Sequence, residues 1–283
     1  SVEKESPGAL VCDGGWGFGQ VLCRDLTARL IEKARTAGIA AGFLRQSAHC
    51  GRLGEYAELA AAQNMISIIC ANTHGAGQRV APIGGKRPVL GTNPICMGMP
   101  GGSEGPFVLD FGTSATAEGK VRVRRIAGQS VPPGWLLDSE GRPTTDPNAL
   151  YASPPGSILP MGGDQTYKGF GLAFMIEMLC GVLSGGPCSH PNPPPPVGNC
   201  VTIIVVAPQQ AAGLEHLSAQ VSQLESFVRG VPLRDGAERI TLPGDPERLT
   251  MARRRTEGIP LDAGNWTALC KLAEDLGVPA PAV

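Results

Sequence analysis

The first 71 residues alternate between two kinds of apolar pattern. Gly8–Asp13, Ile39–Leu44 and Met65–Ala71 are short apolar runs of the kind that forms buried strands. Gln20–Gly38 and Gly54–Gln63 instead carry apolar residues every three to four positions, the period of a helix with one packed face. The order strand, helix, strand, helix, strand predicts an α/β fold with helices packed around a sheet.

The rest of the chain extends this pattern with longer helices. Lys168–Leu183 is apolar on almost every side, which predicts a helix buried in the core or at a subunit interface. Val201–Ala207 is a β-branched run typical of a strand, and Gln209–Gly230 and Trp266–Leu276 have helical spacing. Residues 72–106 are so rich in Gly and Pro that any regular element there must be short.

The composition favours a packed, turn-rich globular protein over a disordered chain. There are 39 glycines and 26 prolines among 283 residues, nearly twice the usual share of about 12% for the two together. However, 42% of the residues are hydrophobic and the net charge is −1, so the chain can bury a core. The near-zero charge predicts no nucleic-acid partner. The absence of any apolar run of about 18 residues predicts no membrane span.

The cysteines and the first residues indicate the cellular compartment of the protein. Nine cysteines occur without a C-x-x-C pair, and an odd number cannot all pair within one chain. We therefore expect reduced thiols and a cytoplasmic protein. The polar start, Ser1–Gly8, has no apolar segment of the kind that a secretion signal needs. The run 187–196 holds six prolines and predicts a flexible or polyproline surface loop.

A glycine-rich turn lies where a dinucleotide-binding loop would lie in a Rossmann fold. Gly15, Gly17 and Gly19 separate the first predicted strand from the first helix, but the third glycine comes one residue too early for G-x-G-x-x-G. A Walker loop and G-x-S-x-G are absent, and the four histidines lack metal-ligand spacing. An ordinary Rossmann site, a serine hydrolase and a dedicated metal site are therefore disfavoured.

Two residues stand out on chemical grounds. His49 lies in a predicted strand-to-helix turn with small neighbours, where imidazole suits proton transfer, although a lone histidine in a turn is often structural. Asp110 ends a predicted strand, Phe107–Asp110, and either orients a ligand or caps a helix. Cys50, next to His49, leaves open a thiol-dependent enzyme. The residue types alone do not decide between these alternatives.

Several short segments together resemble the type-2 malate/L-lactate dehydrogenase family, and they occur in that family's order along nearly the whole chain. They are Gln46–Gly51 (QSAHCG), Asn72-Thr73, Ala81–Gly85 (APIGG), Leu90–Pro94 (LGTNP), Phe107–Ser114 (FVLDFGTS), Ala117–Lys120 (AEGK), Gly141–Pro147 (GRPTTDP), Tyr167–Leu172 (YKGFGL) and Leu242–Glu247 (LPGDPE). The resemblance implies a non-Rossmann α/β fold with a mixed sheet and helices around it. It also implies an NAD- or NADP-dependent reductase of a small 2-oxo acid or cyclic 2-imino acid, acting as a homodimer on a carboxylic acid substrate.

The resemblance assigns roles by position. It makes His49 the acid/base and places Asp110 beside the nicotinamide, so both are expected to be catalytic. The segments implied to contact the cofactor comprise Thr73, Val108, Leu109, Asp110, Phe111, Gly112, Thr113, Ser114, Lys168, Gly169, Pro243, Gly244 and Asp245. No metal is implied. For Lys168, a surface lysine that begins a helix is the structural alternative.

The resemblance also implies a domain division. Residues 1–70 form a substrate-side α/β segment, residues 71–235 an NAD(P)-binding domain, and residues 236–283 a C-terminal helical segment that packs back on the first part. In the family, a helical segment with a Ser-His-Gly motif and an arginine precedes this point, and these 283 residues do not contain it. Arg45 and Arg52 are the nearest candidates for that arginine. The alternative is a catalytically impaired member that binds a dinucleotide or a protein partner.

Overall fold

A computed structural model describes residues 1–193 and 195–280 as a mixed α/β protein. The strands are β1 (Val2–Ser6), β2 (Ala9–Asp13), β3 (Ile39–Ser47), β4 (Ile66–Ala71), β5 (Pro94–Met99), β6 (Phe107–Gly112), β7 (Leu136–Leu137), β8 (Pro143–Thr144), β9 (Ser157–Ile158) and β10 (Asn199–Val206). The helices are α1 (Gly19–Ala37), α2 (Gly54–Ala61), α3 (Glu118–Ile126), α4 (Thr166–Ser184), α5 (Leu214–Arg229), α6 (Asp245–Glu257) and α7 (Ala263–Asp275).

Seven strands form one mixed sheet in the order β1-β2-β3-β10-β4-β5-β6. Only β2 and β3 pair in parallel; every other neighbouring pair is antiparallel. The mixed, non-Rossmann α/β architecture predicted from the sequence is therefore confirmed. A smaller sheet of β7, β8 and β9 lies beside it.

Helices cover the large sheet on both faces, and each side has its own core. Helices α1 and α2 pack on one face, where Leu30, Tyr56 and Ile69 are fully buried. Helix α4 packs on the other face, where Ile176 and three cysteines form a second cluster. The small sheet has a third cluster around Leu136.

Most predicted elements exist, with ends shifted by a few residues. Sequence pattern missed β1, the short strands β7, β8 and β9, and two larger elements. Strand β5 lies within residues 72–106, which were expected to be mainly loops; it begins at Pro94 and holds Gly98, yet pairs with β4 and β6 along its whole length. Helix α6 has almost no apolar stripe, and one residue of its thirteen is buried.

The expectation that helix α4 is wholly buried in the core is wrong, whereas the alternative of a subunit interface stays a prediction. It is not buried all round, because Phe174, Met175 and Val182 are exposed while Ile176 and Cys180 face the sheet. On length and composition alone, its segment Gly163–Ser184 could cross a membrane, although no apolar run of that length was expected. Its inner face packs on β10 and β3, as core helices do.

The proline-rich run 187–196 begins as a loop that packs on α4, since the Ser189 amide donates to the Glu177 carboxylate at 2.9 Å. Pro194 lies outside the described residues, so the predicted flexible or polyproline character of the run stays a prediction. The domain division also stays a prediction. The large sheet takes strands from both sides of residue 70, and 281–283 lie outside the described residues.

An ion-pair network fastens the start of α6 to α5. The carboxylate of Asp245 is fully buried and accepts hydrogen bonds from Arg229 at 2.9 Å, from Arg248 at 2.7 Å and from the Leu242 amide at 2.8 Å. Burial on its own would raise the pKa of Asp245, but these three donors hold it well below its ordinary value of 3.8. The carboxylate therefore stays charged and fixes the turn before α6.

We expect Asp245→Asn to lower the free energy of unfolding by on the order of 3 kcal/mol at pH 7, because it leaves partly buried arginines without their anion. A carboxyl whose pKa is depressed by folding stabilises the protein above its unfolded-state pKa and loses that effect as the pH falls through its folded-state pKa. Urea unfolding at pH 7, 5 and 3 should therefore show the difference from wild type shrinking only below pH ~4.

The matched control is Asp235→Asn, which changes an exposed carboxyl and should leave the free energy of unfolding nearly unchanged. A difference between wild type and Asp245→Asn that stays constant from pH 7 to 3 would contradict this role for the network.

Candidate active site

Four strands of the large sheet end at the same edge. Strands β2, β3, β4 and β6 run in one direction, because β10 lies antiparallel between β3 and β4 and β5 lies antiparallel between β4 and β6. The segments that follow three of these carboxyl ends carry His49, Thr73 and Thr113. Ligands of α/β proteins commonly bind at this edge of a sheet.

The glycine-rich turn after β2 holds the His49 segment in place. The Gly14 amide donates to Arg45 O at 2.9 Å, and the Ala48 amide donates to Gly17 O at 3.1 Å. A Cβ atom on Gly19 would lie 2.3 Å from Ala48 O, so only glycine lets α1 begin this close to the segment. The turn that resembles a nucleotide-binding loop is here a support for the chain around His49.

His49 itself is exposed, and one of its ring nitrogens has a partner. Its Nδ1 accepts a hydrogen bond from the Gly51 amide at 2.9 Å. In the neutral ring the proton therefore lies on Nε2, which has no hydrogen-bond partner among the residues that the structure describes. An N–H donor on an exposed side chain is thus available at this nitrogen.

A buried asparagine ties the His49 segment to the segment after β4. Asn199, at the start of β10, accepts from the Cys50 amide at 2.9 Å and donates to Asn72 O at 2.6 Å. Asn72 in turn accepts from the His74 amide at 2.9 Å and thereby shapes the turn that contains Thr73. Asn199 therefore fixes the backbone next to His49 relative to the backbone next to Thr73.

Thr113 and Gly169 come together around Met161. The Met161 amide donates to Thr113 O at 2.9 Å, and a Cβ atom on Gly169 would lie 2.4 Å from Met161 O. Thr113 also donates through Oγ1 to Asn93 O at 3.0 Å. The structure thus joins the end of β6 to the first turn of α4, where Lys168 is exposed.

Asp110 holds the start of α2. Its carboxylate accepts a hydrogen bond from the Gly54 amide at 2.7 Å, so the capping alternative describes a real contact. Burial raises the pKa of this carboxyl, while the Gly54 amide and nearby Arg52 oppose the rise. Because α2 begins three residues after Gly51, Asp110 also braces the segment that carries His49.

Pro243, Gly244 and Asp245 lie near the start of β6, and Gly244 lines a cavity of about 620 Å³ together with Arg52. Pro243 O accepts from the Val108 amide at 3.3 Å, at the opposite end of β6 from Thr113. The five steps of strand between Val108 and Thr113 span about 17 Å. A ligand that contacts both groups would have to extend along β6, past Leu109, Phe111 and Gly112, and the Asp245 carboxylate is already occupied by arginines.

The packing of Arg45, Arg52 and Cys50 disfavours the roles that the sequence suggested for them. Arg45 is paired with Glu3 and Asp13, and Arg52 is paired with Glu58 at 2.7 Å. Neither guanidinium is therefore free of a carboxylate partner. Cys50 is 3% exposed and belongs to the core under α1 and α2, which is not where a nucleophilic thiol can meet a substrate.

Sequence reasoning missed a set of buried polar residues at this edge. Glu177 of α4 accepts from Asn72 Nδ2 at 3.0 Å and from Asn93 Nδ2 at 2.7 Å. The available signal was that an amide side chain follows β4 and precedes β5, in Asn72-Thr73 and in LGTNP. Glu177 was not predicted because the helix around it is apolar on almost every side.

Two further cavities adjoin α4. One of about 430 Å³ lies between the first residue of α4 and the APIGG turn, where it is lined by Gly84, Gly85, Lys86 and Thr166. The other, of about 310 Å³, lies along α4 beside Glu177. Neither is lined by His49.

Comparison with known proteins agrees with this architecture. Residues 1–270 match the family model described as malate/L-lactate dehydrogenase. Hydroxycarboxylate dehydrogenase B of Escherichia coli O157:H7 is 41% identical over 282 residues, which are 98% of this chain and 76% of that enzyme.

Two solved structures are similar over almost the whole chain. Malate dehydrogenase of Pyrococcus horikoshii is 32% identical with a TM-score of 0.84, covering 99% of this chain and 78% of its own. The delta1-piperideine-2-carboxylate reductase of Pseudomonas syringae is 32% identical with a TM-score of 0.79, covering 96% of this chain and 80% of its own.

These matches confirm the resemblance that the sequence motifs indicated. The family's dehydrogenases use NAD(P) and act on CH–OH groups of hydroxy acids. The mixed sheet, the motif order and the identity to these relatives lead to one conclusion: this chain belongs to the malate/L-lactate dehydrogenase family and is an NAD(P)-dependent oxidoreductase.

Proposed function

We propose that this protein reduces a small 2-oxo acid or cyclic 2-imino acid and, in reverse, oxidises the corresponding 2-hydroxy acid. The observation that carries the proposal is His49, exposed at the shared edge with a protonated Nε2 and fixed through Asn199 to the Thr73 turn. Similarity to both a malate dehydrogenase and an imino acid reductase supports the two substrate classes.

His49 would supply the proton that the reduction needs. Its Nε2–H can donate to a carbonyl oxygen or imine nitrogen placed over the strand ends, and in the reverse direction the ring accepts the hydroxyl proton. The Gly51 amide holds the other nitrogen as an acceptor, which keeps the donor on Nε2. Asp110 contributes by fixing the start of α2 next to this segment.

The residues around α4 fit a dinucleotide cofactor, which supplies the hydride. The first turn of α4 contains no acidic residue, and its helix N-terminus is favourable for a phosphate group. Lys168 lies in this turn, and Lys86, Gly84 and Gly85 line the 430 Å³ cavity beside it. Thr113 and Ser114 lie close to this turn through Met161. NAD and NADP both remain candidates.

Oxidation of NADPH or NADH in the presence of pyruvate, oxaloacetate, phenylpyruvate or piperideine-2-carboxylate should be measurable as loss of reduced-cofactor absorbance. We expect His49→Gln to lower kcat by about 100-fold or more, because general acid catalysis contributes about 10² to 10⁴. The KM for the cofactor should change little.

His216→Gln is the control, since His216 is an exposed histidine on α5 that should not affect kcat. The contrary result is cofactor binding without turnover of any of these substrates, with the affinity for the cofactor unchanged in His49→Gln. The protein would then be a binding protein and the proposed catalysis wrong.

We infer that the protein forms a homodimer through the part of the α4 face of the sheet that α4 leaves uncovered. Ile68, Met97 and Leu109 are directly paired across β4, β5 and β6 and are 37, 45 and 41% exposed. They share the face on which Cys70 meets Cys180 of α4, and α4 adds exposed Met175 and Val182. Exposed apolar residues grouped on one face of a sheet are typical of a subunit interface.

Met97→Glu should weaken the dimer at least about 10-fold, because a charge would be buried without a partner. Sedimentation velocity across a dilution series measures the effect. Val123→Glu on α3 is the matched control, since Val123 is 50% exposed and lies away from this surface. A wild-type protein that sediments as a monomer at all concentrations would contradict the inference.

The cysteines support a reducing, cytoplasmic location. The nine cysteines are all free thiols, and six of them are buried. Reduced thiols in this number are typical of cytosolic proteins.

A further inference from the structure

His74 is a buried histidine whose ring has no hydrogen-bond partner. It lies in the turn after β4, directly after Thr73, and is 5% exposed. Both ring nitrogens, Nδ1 and Nε2, are buried without a partner among the described residues. A neutral ring leaves one donor and one acceptor unsatisfied here, whereas a protonated ring leaves two donors and a charge, which costs more. The surroundings of His74 therefore favour its neutral form.

The ring of His74 packs against Trp16 of the glycine-rich turn. The two ring centroids are 4.8 Å apart and the ring planes meet at 68°, an edge-to-face arrangement. Trp16 also lies against Gly198, where a Cβ atom would lie 2.7 Å from Trp16 Cζ3. The contact between the two rings thus joins the turn after β2 to the turn after β4.

Both residues of this contact have backbone conformations that large side chains disfavour. The φ angle is +60° at Trp16 and +51° at His74, in the left-handed region. The Trp16 amide donates to Gln46 O at 2.7 Å, and the His74 amide donates to Asn72 Oδ1 at 2.9 Å. Such strain persists only where the surroundings hold it in place. Loss of the ring contact would therefore allow both turns to relax.

Two charged residues face the His74 ring from β2 and β3. Burial lowers the pKa of His74 below its ordinary value of 6.5, Arg45 of β3 adds to the fall, and Asp13 of β2 opposes it. Asp13 and Arg45 are paired with one another at 3.0 Å. The one nearby carboxylate on this side is therefore already occupied by a cation.

On the side of α4, the titratable groups near this turn have other partners. Glu177 accepts from Asn72 Nδ2 at 3.0 Å. The Cys188 thiol donates to Glu177 O at 3.5 Å, and burial raises the pKa of this thiol, so it stays neutral. Neither group gives the His74 ring nitrogens a hydrogen bond. A proton on His74 would thus have no acceptor on either side.

We propose that His74 is a proton-sensitive positioning residue of the candidate active site. In its neutral form the ring packs on Trp16 and holds together the turn that carries Thr73 and the Gln46–Gly51 segment that carries His49. When it is protonated, the ring leaves its site for solvent and both turns loosen. The consequence for cofactor and substrate rests on the proposed function, whereas the opening itself does not.

The proposal predicts how the opening depends on pH. An open ring has the ordinary pKa of 6.5, and the closed ring has a lower one. The closed form is therefore fully stable above pH ~6.5 and loses stability relative to the open form as the pH falls below this value. Between pH ~7.5 and ~5.5, the ratio of open to closed form should rise about tenfold.

Amide hydrogen exchange followed by mass spectrometry measures this ratio. After correction for the pH dependence of chemical exchange, peptides that cover residues 14–18 and 72–77 of the wild-type protein should lose protection about tenfold over that pH range. His74→Phe keeps an aromatic ring that cannot be protonated, so the protection of both peptides should not depend on pH. His216→Phe makes the same change at an exposed position of α5 and should behave as wild type does.

An NMR titration of the wild-type protein keeps the test decisive if His74→Phe does not fold. Nuclear Overhauser effects to the Trp16 indole identify the His74 ring. While these effects persist, the ring should keep the chemical shifts of neutral imidazole at pH ~6, where an ordinary histidine is largely protonated.

Three results would each overturn the proposal. They are an equal loss of protection in wild type and His74→Phe, no loss in wild type, and a His74 ring that is protonated at pH ~6 while it stays against Trp16. The proposed function fails separately. If neither NADH nor NADPH adds protection to residues 72–77 of the wild-type protein at pH ~7.5, the cofactor does not bind at this turn, and the exchange of the free protein still decides the role of His74.

Discussion

The insertion of β10 between β3 and β4 organises the functional end of this protein. This strand comes about 130 residues after β4 in the chain, and it pairs antiparallel with both neighbours along its length. It thereby makes β3 and β4 run in the same direction and brings their carboxyl ends to one edge. Its first residue, Asn199, then joins the two segments that follow those ends. His49 and Thr73 owe their relative placement to this one strand.

The surroundings of this edge show how polar groups are buried without loss of stability. Asn72, Asn93, Asn199 and Glu177 are all buried, and each makes hydrogen bonds to a different segment of the chain. Such bonds contribute little individually, but an unsatisfied buried polar group is costly, so the network selects one arrangement of its loops. Ser189 Oγ and Asn93 Oδ1 are buried at this edge without a hydrogen-bond partner among the described residues.

The sequence predicts local elements well here and their three-dimensional arrangement poorly. Apolar periodicity found α1, α2, α4, β3, β4 and β10, because one-sided burial leaves a clear pattern. It missed β5, whose Pro94 and Gly98 break the pattern although β4 and β6 supply its hydrogen bonds. It also missed Glu177, because one charged residue within an apolar helix looks incidental until its neighbours in space are known. The motif resemblance predicts His49 and Thr73 as site residues, but the separation of Pro243 from Thr113 follows only from the direction of β6.

Hydride transfer itself is the central claim, and isotope transfer tests it most directly. The purified protein is incubated with NADPH or NADH deuterated at C4 on either face and with a 2-oxo acid, and the product is analysed by mass spectrometry and NMR. The account predicts deuterium at C2 of the 2-hydroxy acid from one of the two labelled faces, with one oxidised cofactor formed per product. Product without deuterium from either face, or cofactor binding with no product, would contradict it.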